Sequence, residues 1–296
     1  MLTLPPGLLG RDIDLGRVDV TPEELRRYAV AIGDDGLAAG PCRVAPLGFA
    51  LALRGAPLPD VELAADTISV HGGHTITLHA PLTAPAAYHV SARIADVFEK
   101  NGRSGPLTVL ARRADIRAND GSLVASVEDQ QILRWKRSAA TAALPRSGEP
   151  PPTLHATSEA ANVAELEVGS LIGPQRRLAP SATAIAAYAQ RHGGGEALFV
   201  DRAAAHALGY RDVIVPGPLQ AAILETMLRN ALHGWTLRRI GMTFRVSVPA
   251  LEPIALAAIV VEHHLRPDGD LAVCDLSIEN SDGERAALGV AELVRV

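Results

Sequence analysis

Two side chains suited to proton transfer flank a glycine-rich loop in the second half of the chain. His192 precedes Gly193-Gly194-Gly195, and Glu196 follows it. An imidazole and a carboxylate at this spacing can act as an acid and a base on one small molecule. The alternatives are a histidine at a helix C-terminus, favoured there by the helix dipole, and a solvated loop carboxylate.

Two predicted helices position this loop. A short helix over 181–192 precedes it, and a long apolar helix over 219–232 follows it. Pro216-Gly217-Pro218 opens the apolar helix, and a glycine there permits a ligand to approach the backbone closely. A merely rigid helix start is the alternative. Asp201 is interpreted as the N-cap of a further short helix between the two.

This order of elements resembles the MaoC-like hot-dog proteins, the family of (R)-specific enoyl-CoA hydratases and hydroxyacyl thioester dehydratases. The catalytic Asp of that family falls on Gly194, and its catalytic His falls on Phe199. The family's Asn becomes Glu196, and the His before the helix glycine becomes Pro216. The positions that match the family pattern are Tyr188, Gly193, Asp201, Gly209, Tyr210 and Gly217.

The resemblance implies a binding site for an acyl thioester at the start of the apolar helix. In the family, a backbone N–H at this helix start polarises the thioester carbonyl, while the Asp and His share one water. The resemblance therefore implies substrate contacts at Pro216, Gly217 and Leu219, with Phe199 beside them.

The missing Asp and His leave the acid and base to other residues. His192 and Glu196 lie nearest to the lost positions and are the first candidates. Asp34 is a further catalytic candidate, because Gly33-Asp34-Asp35 in the first half imitates the family's Gly-Asp. Arg238, Arg239 and Arg245 are candidates for binding phosphate.

The two halves of the chain repeat each other. Tyr28 and Tyr188 are 160 positions apart, and the turn glycines Gly121 and Gly283 are 162 apart. A repeat of about half the chain indicates two similar domains. The resemblance implies an α+β double hot-dog, in which antiparallel sheet wraps two buried helices.

The predicted boundaries are an N-terminal hot-dog domain over 1–137, a linker over 138–165 and a C-terminal MaoC-like domain over 166–296. The first half is predicted to hold helices over 21–32 and 45–53, and Cys42 and Cys274 are expected to be buried, reduced thiols. Alternating residues and turn signals predict strands over 75–79, 88–98, 107–117, 122–135, 237–248, 254–264, 271–279 and 285–296.

Several classes of partner are not expected. A formal net charge of −5 and an aromatic content of 3% give no reason to expect nucleic acid. His71, His74 and His79 do not have a recognisable metal-ligand spacing, and no dinucleotide fingerprint occurs. No metal and no cofactor are therefore predicted. No signal peptide or apolar span is recognised, so a cytoplasmic location without membrane contact is expected.

The predicted function is that of a hydratase or dehydratase acting on an enoyl or 3-hydroxyacyl thioester of CoA or a carrier protein, with non-standard acid and base residues. A non-catalytic, thioester-binding partner subunit of a heteromeric hydratase is one alternative. A thioesterase or a biosynthetic cyclisation or elimination on the same scaffold is another. A homodimer, or a heteromer with a related hot-dog protein, is expected.

Overall fold

The structure is a computed structural model that describes residues 2–53, 61–64, 66–102, 105–135, 166–191, 197–267 and 269–295. The chain forms two compact units, which are Met1–Val30 with Asp35–Ala142, and Ala31–Asp34 with Ala143–Val296. The linker predicted over 138–165 lies outside the described residues.

The described part of the first unit combines three helices with an antiparallel sheet whose strands are ordered β2-β5-β6-β7-β4. Its helices are α1 (Pro22–Ile32), α2 (Asp35–Ala39) and α3 (Phe49–Leu53). Its strands are β1 (Leu2–Thr3), β2 (Ile13–Val20), β3 (Glu62–Leu63), β4 (Thr67–Leu78), β5 (Ala86–Gly102), β6 (Gly105–Ala118) and β7 (Leu123–Trp135).

The start of α1 follows from its capping residues. The Thr21 hydroxyl accepts a hydrogen bond from the Glu24 N–H at 3.2 Å, and the Glu24 carboxylate accepts one from the Thr21 N–H at 2.8 Å. This reciprocal pair satisfies two amide donors that a helix start leaves open. Gly33, with a φ of 73°, ends the helix. The helix predicted over 21–32 is confirmed.

Among its described residues, the second unit has four helices and a sheet ordered β8-β10-β11-β12-β9. Its helices are α4 (Ala182–Arg191), α5 (Ala197–Val200), α6 (Arg202–Ala207) and α7 (Gly217–Ala231). Its strands are β8 (Leu171–Leu178), β9 (Thr236–Phe244), β10 (Pro253–His264), β11 (Asp270–Glu279) and β12 (Arg285–Arg295).

The two sheets share one strand order. In the first unit, β2 precedes the first long helix and pairs with β5, and β7 pairs with β4, the long strand after the buried helix. In the second unit, β8 and β10 form the equivalent first pair, and β12 and β9 form the equivalent second pair. Between these pairs, three consecutive strands form an antiparallel meander in each unit. This correspondence agrees with the repeat predicted from the sequence.

Each unit has a buried helix. α7 packs on β8, β9 and β10, and most of its side chains are buried, including Leu219, Leu224 and Leu228. α3 packs on β7 and is also largely buried. Burial of nearly all faces explains why both helices are so apolar. The predicted arrangement of two buried helices against antiparallel sheet is confirmed.

Some predicted boundaries were wrong. Strand β4 begins at Thr67 rather than at 75, and β9 ends at Phe244 rather than at 248. Strand β5 continues to Gly102 rather than ending at 98. Strands β2 and β8 were not predicted.

Candidate functional site

Two backbone donors at the start of α7 have no hydrogen-bond acceptor among the described residues. Pro216 is the N-cap, and the first amide that donates within the helix is that of Gln220, to the Pro216 carbonyl at 3.1 Å. Pro218 has no N–H. The amides of Gly217 and Leu219 are therefore the helix-start donors, and the dipole of α7 adds partial positive charge there.

Gly217 is also fixed by a neighbouring ring. A Cβ built on Gly217 would lie 2.7 Å from two carbons of the Phe244 ring. No side chain fits between this backbone and that ring without movement. Close approach to Gly217, which the sequence assigned to a ligand, is made here by Phe244, the last residue of β9.

Gln220 is a buried polar residue that the sequence analysis missed. Its side chain is 5% exposed, and its Nε2 donates to the Val215 carbonyl at 3.0 Å. Residues three apart on a helix share a face, so Gln220 lies beside Gly217 on the first turn of α7. A polar residue in the first turn of an otherwise apolar helix was the available sequence signal.

Phe199 is placed next to the segment that leads into α7. Its helix α5 is tied to that segment because Ile214 N–H donates to the Leu198 carbonyl at 3.3 Å. The Phe199 side chain is buried, with 8% exposure. Phe199, which the sequence analysis aligned with the family's histidine, is thus a buried apolar ring close to the segment that leads into α7.

Asp201 caps α6 as the sequence predicts. Its carboxylate accepts hydrogen bonds from the amides of Ala203 and Ala204 at 2.8 and 3.3 Å. The ion pair between Arg202 and Asp212, at 2.9 Å, fastens the same helix to the segment that follows it.

His192 and Glu196, the predicted acid and base, lie outside the described residues. Helix α4 ends at Arg191 and α5 begins at Ala197, so both residues belong to the connection between two described helices. Their assignment stays a prediction.

Asp34 lies at the other end of α7 from Gly217. Its carboxylate is 3% exposed and forms an ion pair with Arg229 Nη1 at 2.7 Å. Arg229 follows Gly217 by 12 residues, which is about 18 Å along a helix axis. An arginine side chain does not span that length, so Asp34 and the Gly217 amide do not meet at one reacting centre.

Glu225 is another buried carboxylate, and the sequence analysis missed it. It lies in the middle of α7, is 2% exposed, and precedes Arg229 by one helical turn. A glutamate within a largely apolar helix was the sequence signal that could have indicated this buried carboxylate. A catalytic role for Asp34 stays a prediction, and the structure pairs its carboxylate with Arg229 of α7.

The three candidate arginines differ in their partners. Arg238 and Arg239 share the Glu292 carboxylate, at 2.6 and 3.2 Å. Burial raises the pKa of Glu292, but the two guanidinium groups outweigh burial and hold that pKa below its ordinary value. Arg245 is exposed and has no carboxylate partner within the described part of the chain. It is therefore the best placed of the three to meet a phosphate.

The three histidines considered as metal ligands are engaged with protein groups. His71 and His74 share a hydrogen bond of 2.9 Å, and His79 bonds to the Ser126 hydroxyl at 2.8 Å. Over the residues that can be described, no group of three or more His, Cys, Asp or Glu side chains could hold a metal ion.

Comparison with known proteins identifies the fold. No family model matches the sequence. Mesaconyl-C(4)-CoA hydratase of Chloroflexus aurantiacus is 27% identical over 224 residues, which are 75% of this chain and 69% of that protein. A solved structure described as a MaoC-like dehydratase superposes with a TM-score of 0.75 at 15% identity, covering 98% of each chain. The chain therefore has the fold of the MaoC-like dehydratases.

A second structure supports the double fold. A Mycobacterium tuberculosis protein described as having a double hot-dog fold superposes with a TM-score of 0.64 at 12% identity, over 97% of this chain and 96% of its own. The resemblance to MaoC-like proteins and the α+β double hot-dog fold predicted from the sequence are thus confirmed. Of the helices that are described, none is long and apolar enough to cross a membrane.

Proposed function

We propose that this MaoC-like protein is a hydro-lyase that adds water to, or removes water from, an acyl thioester. The observation that carries the proposal is the start of α7, where the Gly217 and Leu219 amides point out of a buried helix N-terminus. Two N–H donors and the helix dipole suit a thioester carbonyl that gains negative charge as the reaction proceeds.

The chemistry needs a base, an acid and this carbonyl site. In the hydration direction, a base takes a proton from water while the water oxygen bonds to C3 of the enoyl thioester. Negative charge moves to the thioester oxygen, and an acid then gives a proton to C2. We assign the two proton-transfer roles to His192 and Glu196, because an imidazole and a carboxylate can exchange these roles.

We infer the substrate class from the Chloroflexus aurantiacus relative and from the exposed Arg245. The related Chloroflexus aurantiacus protein is named as a hydratase of mesaconyl-C(4)-CoA, so a CoA thioester, short or branched and carrying a carboxylate, is the first candidate. Arg245 would bind a phosphate of CoA or of a carrier-protein arm, because it is exposed and a guanidinium binds phosphate oxygens well. We further propose a cytoplasmic protein that forms a homodimer or pairs with a related hot-dog subunit.

A second function is favoured by Phe199. Phe199 stands at the family's histidine position and is buried near the start of α7. A phenyl ring cannot transfer a proton. This favours a subunit that binds the thioester, or supports an active relative, without performing the chemistry itself.

A substrate panel tests the proposal. Purified protein is mixed with crotonyl-CoA, a longer trans-2-enoyl-CoA and mesaconyl-C4-CoA, and loss of the enoyl absorbance is followed beside release of free thiol. Loss of absorbance without free thiol is the expected result. Calorimetric binding without turnover would support the partner subunit instead, and free thiol would indicate a thioesterase. Absence of both binding and turnover would contradict the proposal.

A further inference from the structure

The orientation of the Gln220 amide is fixed by one hydrogen bond. The Val215 carbonyl can only accept, so the side-chain group 3.0 Å away from it must be the NH₂ of Gln220. This places the side-chain oxygen, Oε1, on the other branch of the amide. Oε1 is buried, and no described residue donates a hydrogen bond to it.

The location of Oε1 points to the helix start. Gln220 lies three residues after Gly217 and shares its face of α7. Helical side chains lean toward the N-terminus of their helix, so the amide lies over the first turn. The bond to Val215, two residues before Gly217, agrees with this direction.

An unmet acceptor at this position is unfavourable for the protein alone. A buried carbonyl without a donor loses its hydration and gains nothing in exchange. An apolar side chain of similar length would avoid this loss, and most of the other buried residues of α7 are apolar. The pairing of two open donors with one open acceptor suits a ligand that carries both a carbonyl and a donor.

We propose that Gln220 Oε1 accepts a hydrogen bond from the thioester ligand held at the start of α7, and so determines which thioesters bind. This inference rests on the proposed function. The ligand donor is an N–H or O–H a few bonds from the thioester carbonyl. Two groups meet this description: the amide N–H nearest the sulfur in the pantetheine arm, and the C3 hydroxyl of a 3-hydroxyacyl chain.

Two ligands distinguish these sources. Butyryl-CoA carries the pantetheine amide but has no hydroxyl on C3 of its acyl chain, whereas (R)-3-hydroxybutyryl-CoA carries both groups. Their dissociation constants are measured by calorimetry for the wild-type protein and for Gln220→Met, which keeps the length of the side chain and removes its oxygen. One lost hydrogen bond is expected to weaken binding roughly threefold to tenfold. Loss for both ligands identifies the amide, and loss for the hydroxyacyl ligand alone identifies the hydroxyl.

Thr226→Val is the matched control. Thr226 is also buried in α7, and its hydroxyl donates to the Ala222 carbonyl at 2.9 Å. It lies six residues beyond Gln220, which is about 9 Å along the helix axis. Its substitution removes one buried hydrogen bond of α7 away from the proposed ligand, so affinity for both thioesters should stay within twofold. Thermal unfolding of each variant shows that the compared proteins are folded.

The outcomes separate this inference from the function on which it rests. If the wild type binds both thioesters and Gln220→Met binds them equally well, Oε1 meets only water and the inference is overturned, while the proposed function stands. If the wild type binds neither thioester, both are overturned. Equal weakening in Gln220→Met and Thr226→Val would also overturn the inference, because it would reflect damage to α7 alone.

Discussion

The Phe244 ring lies against the backbone of Gly217, so closely that a Cβ at residue 217 would fall 2.7 Å from two ring carbons. The contact joins the end of β9 to the start of α7, where the two open amide donors lie. Glycine is therefore required at this position by packing within the protein, whatever ligand binds beside it.

Gly217→Ala is expected to destabilise the protein by about 1–3 kcal/mol, because the added methyl group must displace the ring or the helix start. In a Phe244→Ala background the same substitution should cost much less, because the obstacle is gone. Unfolding in urea of the two single variants and the double variant measures this coupling. Equal costs of Gly217→Ala in both backgrounds would show that the ring does not restrict residue 217.

The Asp34–Arg229 ion pair predicts a loss of stability with little loss of catalysis. Arg229→Met leaves a buried carboxylate without this countercharge and should cost about 2–4 kcal/mol. Asp34→Asn should also lower the unfolding temperature, while the turnover rate per folded molecule stays within threefold, because Asp34 lies far along α7 from Gly217.

A large loss of turnover in Asp34→Asn would instead support a catalytic role for Asp34. If Asp34→Asn lowers the turnover rate by about 100-fold or more, as loss of an acid or base does, and Arg229→Met does not, then Asp34 takes part in the chemistry. The double variant Asp34→Asn/Arg229→Met should be more stable than Arg229→Met alone, since the side chain at position 34 is then neutral and needs no countercharge.

Much of the fold could be predicted because its strands alternate and its turns use glycine. Val90, Ala92 and Ile94 are almost fully buried, as the alternation over 88–98 indicates. Gly121 and Gly283 have φ values of 85° and 73° at the predicted hairpin turns, which favours glycine there.

The two unpredicted strands contain residues that argue against a strand. β2 includes Gly16, with a φ of 85° beside a register shift, and β8 includes Gly173-Pro174, where the pairing with β10 also shifts. Glycine and proline inside a strand usually indicate a bulge or the absence of a strand. A bulge in a strand at the edge of a sheet can be recognised only when the register of its pairing with the neighbouring strand is known.

The candidate site was less predictable than the fold. The apolar run over 219–232 predicts a buried helix but not the surroundings of its polar residues. Gln220 and Glu225 gain significance from burial, which depends on tertiary packing. The start of α7 was predicted because Pro216-Gly217-Pro218 acts locally on the backbone.

Arg245 is expected to contribute to binding of a CoA phosphate. Arg245→Gln should raise the KM for a CoA thioester several-fold at low salt, and the difference should shrink as salt screens the charge. Arg266→Gln is the matched control, because Arg266 is likewise exposed and has no carboxylate partner within the described ranges. An equal effect of both variants would indicate general charge attraction rather than a phosphate site.

Glu292 predicts a pH dependence of stability. Its folded pKa is below the ordinary value of 4.5, so its ion pairs stabilise the fold above the unfolded pKa and lose this effect as pH falls through the folded pKa. The unfolding temperature of Glu292→Gln should therefore be below that of the wild type at neutral pH. The two should converge under acidic conditions, and a constant difference across that range would contradict the assignment.

The assignment of His192 and Glu196 as acid and base is tested most directly by the hydration rate of three variants on the best substrate of the panel. His192→Ala and Glu196→Ala should each lower kcat by about 100-fold or more, without a matching fall in unfolding temperature. Gln190→Ala, an exposed residue of α4 close in sequence, should retain the wild-type rate. Hydration that persists within threefold in both the His192 and Glu196 variants would contradict the account.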